Sequence, residues 1–159
     1  MRCVRKENGF FDLTEGNWKD HRDGKSDLSY WCYGSSGILL ARIQMQKICY
    51  HEELEMDIER GRKAVGIQFG DTQCLCHGQL GNLNIMRMLM DYYPQNESFA
   101  NQYEIAKKQI QRELKEEGCY FGSKELLEDY SFMQGLSGMG YELLRWKNPE
   151  IPNVLALEV

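Results

Sequence analysis

The pattern that most constrains this chain is a glycine pair, Gly-x-x-Gly, that occurs three times, each time directly ahead of an apolar run. The pairs are Gly34/Gly37, Gly78/Gly81 and Gly135/Gly138. Glycines three apart at a helix start permit a tight turn and a close backbone approach. Behind them lie Ile38–Cys49, Leu80–Tyr92 and Leu136–Trp146, each apolar around most of a helical circumference, as expected of helices buried on several sides. Between them lie segments of another kind. Glu52–Phe69, interrupted by Gly61 and ended near Gly70, and Phe99–Glu117, with Gly118 just past its end, carry one apolar stripe among many charges. Tyr93-Pro94 closes the second buried helix, and Pro149 and Pro152 stop the third. Buried and amphipathic helices that alternate at unequal spacing describe a helical-hairpin repeat with variable loops. The fold class is therefore all-α.

Residues 1–30 read differently. Asn8-Gly9, Glu15-Gly16-Asn17 and Asp23-Gly24 break any long period, so this lead-in is expected to be mostly loop, with short extended pieces around Phe10–Leu13. Independent domains rarely start this way, and the beginning looks like the tail of something longer. The helical repeats are expected over 31–159.

With 159 residues, one domain with a real core is the natural prior. A net charge of −5 argues against a broad nucleic-acid surface. No apolar run approaches the roughly 20 residues needed to cross a bilayer, and Met1–Lys6 lacks the apolar core of a signal peptide. A cytoplasmic location is expected. The six cysteines have no framework spacing, and in a reducing compartment such residues are thiols or metal ligands rather than disulfides. Cys3, Cys49 and Cys119 are expected to be packing residues.

Chemistry concentrates ahead of the second glycine pair, in Cys74-Leu75-Cys76-His77-Gly78. Cys76 and His77 can point at one ion only from a bent, non-helical backbone, which a turn before Gly78 would supply. Trp31-Cys32-Tyr33-Gly34 repeats the Cys-x-Gly-x-x-Gly layout and offers Cys32 as third ligand. Two cysteines, a histidine and one open position make the arrangement of a catalytic zinc site. Two thiolates balance Zn²⁺, so an incoming thiolate keeps electron density on its own sulfur while the metal lowers its pKa. Two other readings stand beside this one. Cys74 as a fourth ligand would make a closed structural zinc site, although strand-like alternation would turn Cys74 away from Cys76. Alternatively, the set could be buried thiols without metal.

Tyr33, next to a ligand, is a candidate acid/base or hydrogen-bonding group, or else a ring packed on Trp31. His21 and His51 read as surface residues, Met86, Met88 and Met90 as core filler, and Lys107-Lys108 as solvated helix face.

Trp31-Cys32-Tyr33-Gly34, Cys76-His77-Gly78-x-x-Gly81-Asn82 and Phe132-Met133-Gln134-Gly135-Leu136-Ser137-Gly138-Met139-Gly140-Tyr141-Glu142 resemble the C-terminal part of LanC-like lanthionine cyclases. The ending, Pro152-Asn153-Val154-Leu155-Ala156-Leu157-Glu158, is most similar to the cyclase region of bifunctional class II lanthipeptide synthetases. The resemblance implies an α/α toroid of seven inner and seven outer helices, of which about three hairpins are present, so that residues 1–159 form a C-terminal fragment. It implies a zinc ion on Cys32, Cys76 and His77. The implied reaction adds a peptide cysteine thiolate to dehydroalanine or dehydrobutyrine, closing a thioether ring in a precursor peptide. A histidine and an acid that relatives supply from earlier repeats have no counterpart, and Tyr33 stands where class II enzymes often carry histidine. The isolated chain is then expected to cyclise poorly. With inner helices and repeat edges uncovered, it should self-associate or take missing repeats from another chain.

Two other classes differ from this. One is a non-catalytic, zinc-stabilised helical module that binds a peptide or partner chain. The other is a sugar-processing toroid, which would need paired carboxylates at the inner-helix ends. Asp27 and Asp71 lie near those ends, with nothing in the sequence to pair them.

Overall fold

The computed structural model describes residues 1–22, 24–67, 72–121 and 129–158. Asp23, Phe69, Gly70 and Asp71, which enter the sequence expectations, lie outside the described residues. The chain forms two units, Met1–Gly66 and Ile67–Val159.

In the first unit the lead-in holds more structure than its turn formers suggest. A short helix α1 (Arg2–Asn8) buries Val4, and a two-stranded hairpin follows, β1 (Phe11–Asp12) with β2 (Asn17–Trp18). The Asp12 carboxylate accepts the Thr14 N–H at 2.9 Å, and Gly16 takes a positive φ of 65°, so local turn chemistry closes the hairpin. Phe11 faces Trp18 across the strands, ring centroids 4.6 Å apart.

Helices α2 (Ser35–Ile48) and α3 (Glu52–Gly61) form the first helical hairpin. α3 starts where His51 Nδ1 accepts the Glu53 N–H, with Glu52, Glu53 and Glu55 against the positive end of the helix dipole. Its buried residues, Leu54, Asp57, Ile58 and Gly61, lie on one helical face. Asp57 is the exception in that stripe, and its charge is matched. It accepts from Arg42 Nε of α2 at 2.9 Å and from Asn8 of α1 at 2.9 Å, and it pairs with Arg60 at 2.8 Å. Arg42 also reaches Glu7 at 2.6 Å, so one buried cluster ties α1 to both helices. Gly61 lets the indole of Trp18 lie against α3, since a Cβ there would come to 2.5 Å from its ring.

Several expectations change here. α2 starts at Ser35, so Gly37 lies inside its first turn. Only its first half is buried, and Ile48 is 87% exposed. The amphipathic helix stops at Gly61, followed by a single 3-10 turn, Arg62–Ala64, and extended backbone at Val65. Cys3, Cys49 and Cys119 are exposed rather than core packing residues.

In the second unit α4 (Gln79–Tyr92) is buried on nearly every side, with Leu80, Leu83, Ile85 and Leu89 at most 1% exposed. Each such side chain contributes about 1.5–3 kcal/mol by leaving water. Met86 and Met88 are core, as expected. α5 (Glu97–Glu116) packs on α4 through Tyr103, Ala106, Ile110 and Glu113, and Gly118, φ 89°, ends the hairpin just past the helix. α6 (Leu136–Lys147) is less apolar than its sequence suggests. Its buried Glu142 and Arg145 pair at 2.9 Å, Asn84 of α4 donates to Glu142 at 2.9 Å, and Asn84 and Asn153 exchange side-chain hydrogen bonds at 2.7 and 3.1 Å. This network pins the C-terminal stretch, where Leu155 and Ala156 are buried. Among the described residues, then, two complete hairpins are followed by the inner helix of a third.

Candidate metal centre

The three glycine pairs sit on one backbone mould. In each, the second glycine faces the main-chain carbonyl of the residue six places earlier, Gly37 against Trp31, Gly81 against Leu75 and Gly138 against Phe132. The first glycine abuts another such carbonyl, Gly34 that of Leu28, Gly78 that of Thr72 and Gly135 that of Asp129. Any Cβ would collide with main chain. Only Gly34, φ 77°, also needs the left-handed region. Thr72 and Asp129 shape their loops alike: Thr72 Oγ1 accepts the Cys74 N–H at 3.1 Å, and Asp129 Oδ1 accepts the Ser131 N–H at 2.7 Å. Their carbonyls then accept the first helical N–H groups, from Gln79 at 2.9 Å and Leu136 at 2.7 Å. The mould gives three loops the same two positions ahead of the glycine, occupied by Cys32-Tyr33, Cys76-His77 and Met133-Gln134.

In the second unit residues 75–77 form a turn and the helix begins only at Gln79, which supplies the bent backbone that Cys76 and His77 would need to share an ion. Cys76 Sγ and a ring nitrogen of His77 lie within 4.8 Å of one another, both half-buried. The turn is held from outside by the third loop, whose Met133 carbonyl accepts N–H groups from Leu75 at 3.1 Å and Cys76 at 2.9 Å. Below it, Gln73 exchanges main-chain and side-chain bonds with Tyr120, and Gln79 Nε2 donates to the buried Glu113 at 2.9 Å. Cys74 is wholly buried beneath the turn. Burial pushes its thiol pKa up, opposed by hydrogen bonds from the His77 and Cys76 main chain and the Thr72 side chain. Its sulfur faces these donors.

In the first unit Tyr30 and Tyr33 bridge, N–H to carbonyl at 2.8 and 3.2 Å, which sets Cys32 at the tip of a tight turn with its thiol exposed. Tyr33 is half-buried, its ring edge-on to Tyr30 at 5.5 Å, with the Arg22 guanidinium 5.3 Å from its centroid. Burial, then the neighbouring Cys32 and Asp20, raises the pKa of its phenol. Tyr33 therefore keeps its proton at neutral pH and can donate it. Arg22 is held by Asp20 through paired bonds at 2.9 and 3.0 Å, which lower the Asp20 pKa to about 2. His21 is exposed, as expected, yet it lines the same cavity as Cys32. Asp27 is exposed beside Arg22 and Lys25.

Sequence reading missed the supports. Thr72 and Asp129, each six residues ahead of a first glycine, were visible as a repeated polar position; the Met133 carbonyl and the Gln73–Tyr120 exchange leave no local trace.

The chain has a match among known proteins. The model of the lanthionine synthetase C-like protein family fits residues 2–159. This chain belongs to that family. It is also 30% identical, over 149 residues, to the lacticin 481/lactococcin biosynthesis protein LcnDR2 of Lactococcus lactis subsp. lactis, an alignment that covers 80% of this chain and 15% of the relative. The chain thus spans a small part of that relative's length. The LanC-like fold is an α/α toroid, consistent with the alternation of α2 to α6. No helix among the described residues is long and apolar enough to cross a membrane.

Proposed function

We propose that this LanC-like chain is the zinc-bearing part of a lanthionine cyclase, acting in the cytoplasm on a lanthipeptide precursor. The observation that carries the proposal is the Cys76-His77 pair on its bent turn, with sulfur and ring nitrogen within reach of one ion. The donor chemistry suits zinc, which takes thiolate and imidazole ligands. Cys32, at the same position of the same mould one repeat earlier, is the proposed third ligand. Thiolate ligands also call for a reducing compartment. Bound there, zinc would supply the positive charge that lowers the pKa of an incoming peptide thiol. The reaction adds the cysteine sulfur to the β-carbon of a dehydroalanine or dehydrobutyrine and a proton to the α-carbon, with no atom lost. Tyr33, protonated at neutral pH, is proposed to hydrogen-bond the reacting group or to donate that proton. Arg22, over its ring, keeps it in place.

Zinc analysis of chain purified without chelator should find about one ion per chain, lost on Cys76→Ala or His77→Ala and weakened on Cys32→Ala. Absence of metal from the parent chain would falsify the assignment. Thioether formation is then followed as loss of free thiol from a dehydrated linear precursor. The isolated chain should do this slowly.

The exposed Ile48, Tyr50 and Met56 around the α2–α3 turn favour a second reading, a zinc-stabilised module that binds a peptide or partner chain without turning it over. Under either reading the isolated chain should self-associate, and a sharp monomer in sedimentation at high concentration would argue against that.

A further inference from the structure

Cys32 stands on the wall of a cavity of about 350 Å³ that lies within the first unit. The wall is largely aromatic, made by Phe10, Trp18, Trp31 and Tyr33 with Ile38, while Gly34 and Gly37 add backbone and no side chain. The rings are braced. Trp18 is held edge-on by Phe11 at 4.6 Å and lies under the Arg60 guanidinium at 5.0 Å. Phe10 stacks on His21 at 5.1 Å. Tyr33 is wedged between Tyr30 and Arg22. Fixed rings around an open space form a preorganised apolar site, which saves the cost of ordering the walls on binding. The charged residues around it, Glu7, Asp20 and Lys19, are each ion-paired, with Arg42, Arg22 and Asp12 in turn, and so give no preference for a charged guest. At about 350 Å³ the space is near the lower bound of ligand pockets, room for one large side chain rather than a cofactor.

We infer that this cavity receives a large apolar side chain, by preference aromatic, from the peptide residue next to the cysteine presented at Cys32. The inference rests on the peptide-thiol reading above and adds a sequence preference to it. Ring faces and edges on several sides favour an aromatic guest over a branched aliphatic one of like volume.

The test uses the full zinc-loaded chain and capped tripeptides Phe-Cys-Gly, Ala-Cys-Gly and Phe-Ser-Gly, titrated by calorimetry and by tryptophan fluorescence, since Trp18 and Trp31 line the space. Phe-Cys-Gly should bind roughly tenfold or more tightly than Ala-Cys-Gly. Phe10→Ala should reduce that ratio to near unity, while Leu13→Ala, 88% exposed on the hairpin, should leave it intact. Equal affinities, no measurable binding, or a ratio untouched by Phe10→Ala each overturn the inference. The underlying reading fails separately. If the chain holds no metal but Phe-Ser-Gly still binds and perturbs the tryptophans, the cavity stands and the metal assignment falls. If cobalt-substituted protein changes its spectrum alike with both cysteine peptides, at equal affinity, the metal assignment stands and the cavity preference falls.

Discussion

Replacing Gly81 by alanine sets two effects against each other. In a helix interior the change should add roughly 0.5–1 kcal/mol of stability, because alanine has less backbone freedom to lose. Gly81 is not an ordinary helical position, however. A Cβ there would come to 2.9 Å from the Leu75 carbonyl carbon and closer still to its oxygen, where ordinary contact begins at 3.4 Å. The obstructing atoms are main chain and cannot rotate away. Overpacking of this kind costs about 1–3 kcal/mol. Moving Leu75 also strains the two N–H bonds to the Met133 carbonyl, each worth about 0.5–1.5 kcal/mol. The steric side wins, and Gly81→Ala should lose about 2–4 kcal/mol, a large share of the 5–15 kcal/mol typical of a domain. Gly140→Ala is the matched control, since nothing lies within 4 Å of its would-be Cβ, and it should gain up to about 1 kcal/mol. Urea unfolding followed by far-ultraviolet circular dichroism reads both. A Gly81→Ala chain as stable as its parent, with cobalt affinity unchanged, would show that the Leu75 carbonyl yields freely and that the mould does not hold the ligand turn.

Asp57→Ala strands the buried Arg42 with only the half-exposed Glu7, and should cost about 3–5 kcal/mol in urea unfolding, while Arg42→Met with Asp57→Leu should cost clearly less. Asn153→Ala removes its bonds to Asn84 and should lower stability by about 1–3 kcal/mol, visible as faster amide exchange over residues 151–158. The folded state raises the Cys74 pKa and so favours the neutral thiol. Its contribution is full below the unfolded thiol value and is lost as pH climbs through the higher folded one, so Cys74→Ser should flatten the alkaline limb of a stability–pH curve. In mild alkylation at neutral pH, Cys74 should react last and the exposed Cys3, Cys49 and Cys119 first, as read by peptide mass mapping.

Glycine pairs ahead of apolar runs made the helical alternation legible, because both the close approach and the buried face leave residue-level marks. The Cys76-His77 turn was legible too, since adjacent residues can share an ion only off a bent backbone. What failed to show was tertiary. Glu142 and Arg145 lie in a run that reads as apolar, yet both are buried because they pair with each other while Asn84 donates to Glu142 and Arg145 donates to the Ile151 carbonyl. α1 escaped notice because a seven-residue helix has too little periodicity to stand out, and much of its hold comes from Glu7 and Asn8 reaching Arg42 and Asp57. Ile48 and Cys49 misled for the opposite reason: apolar type alone does not say where a helix runs out of neighbours.

The third loop keeps the shape of the other two but carries Met133 and Gln134 where they carry Cys-Tyr and Cys-His. Its glycines still face carbonyls, and its own carbonyl braces the adjoining Cys-His turn. Backbone form in this protein thus does not depend on donor side chains, so a loop without them can serve as scaffolding, and Met133→Cys with Gln134→His would write a new donor pair onto a frame already folded to display one.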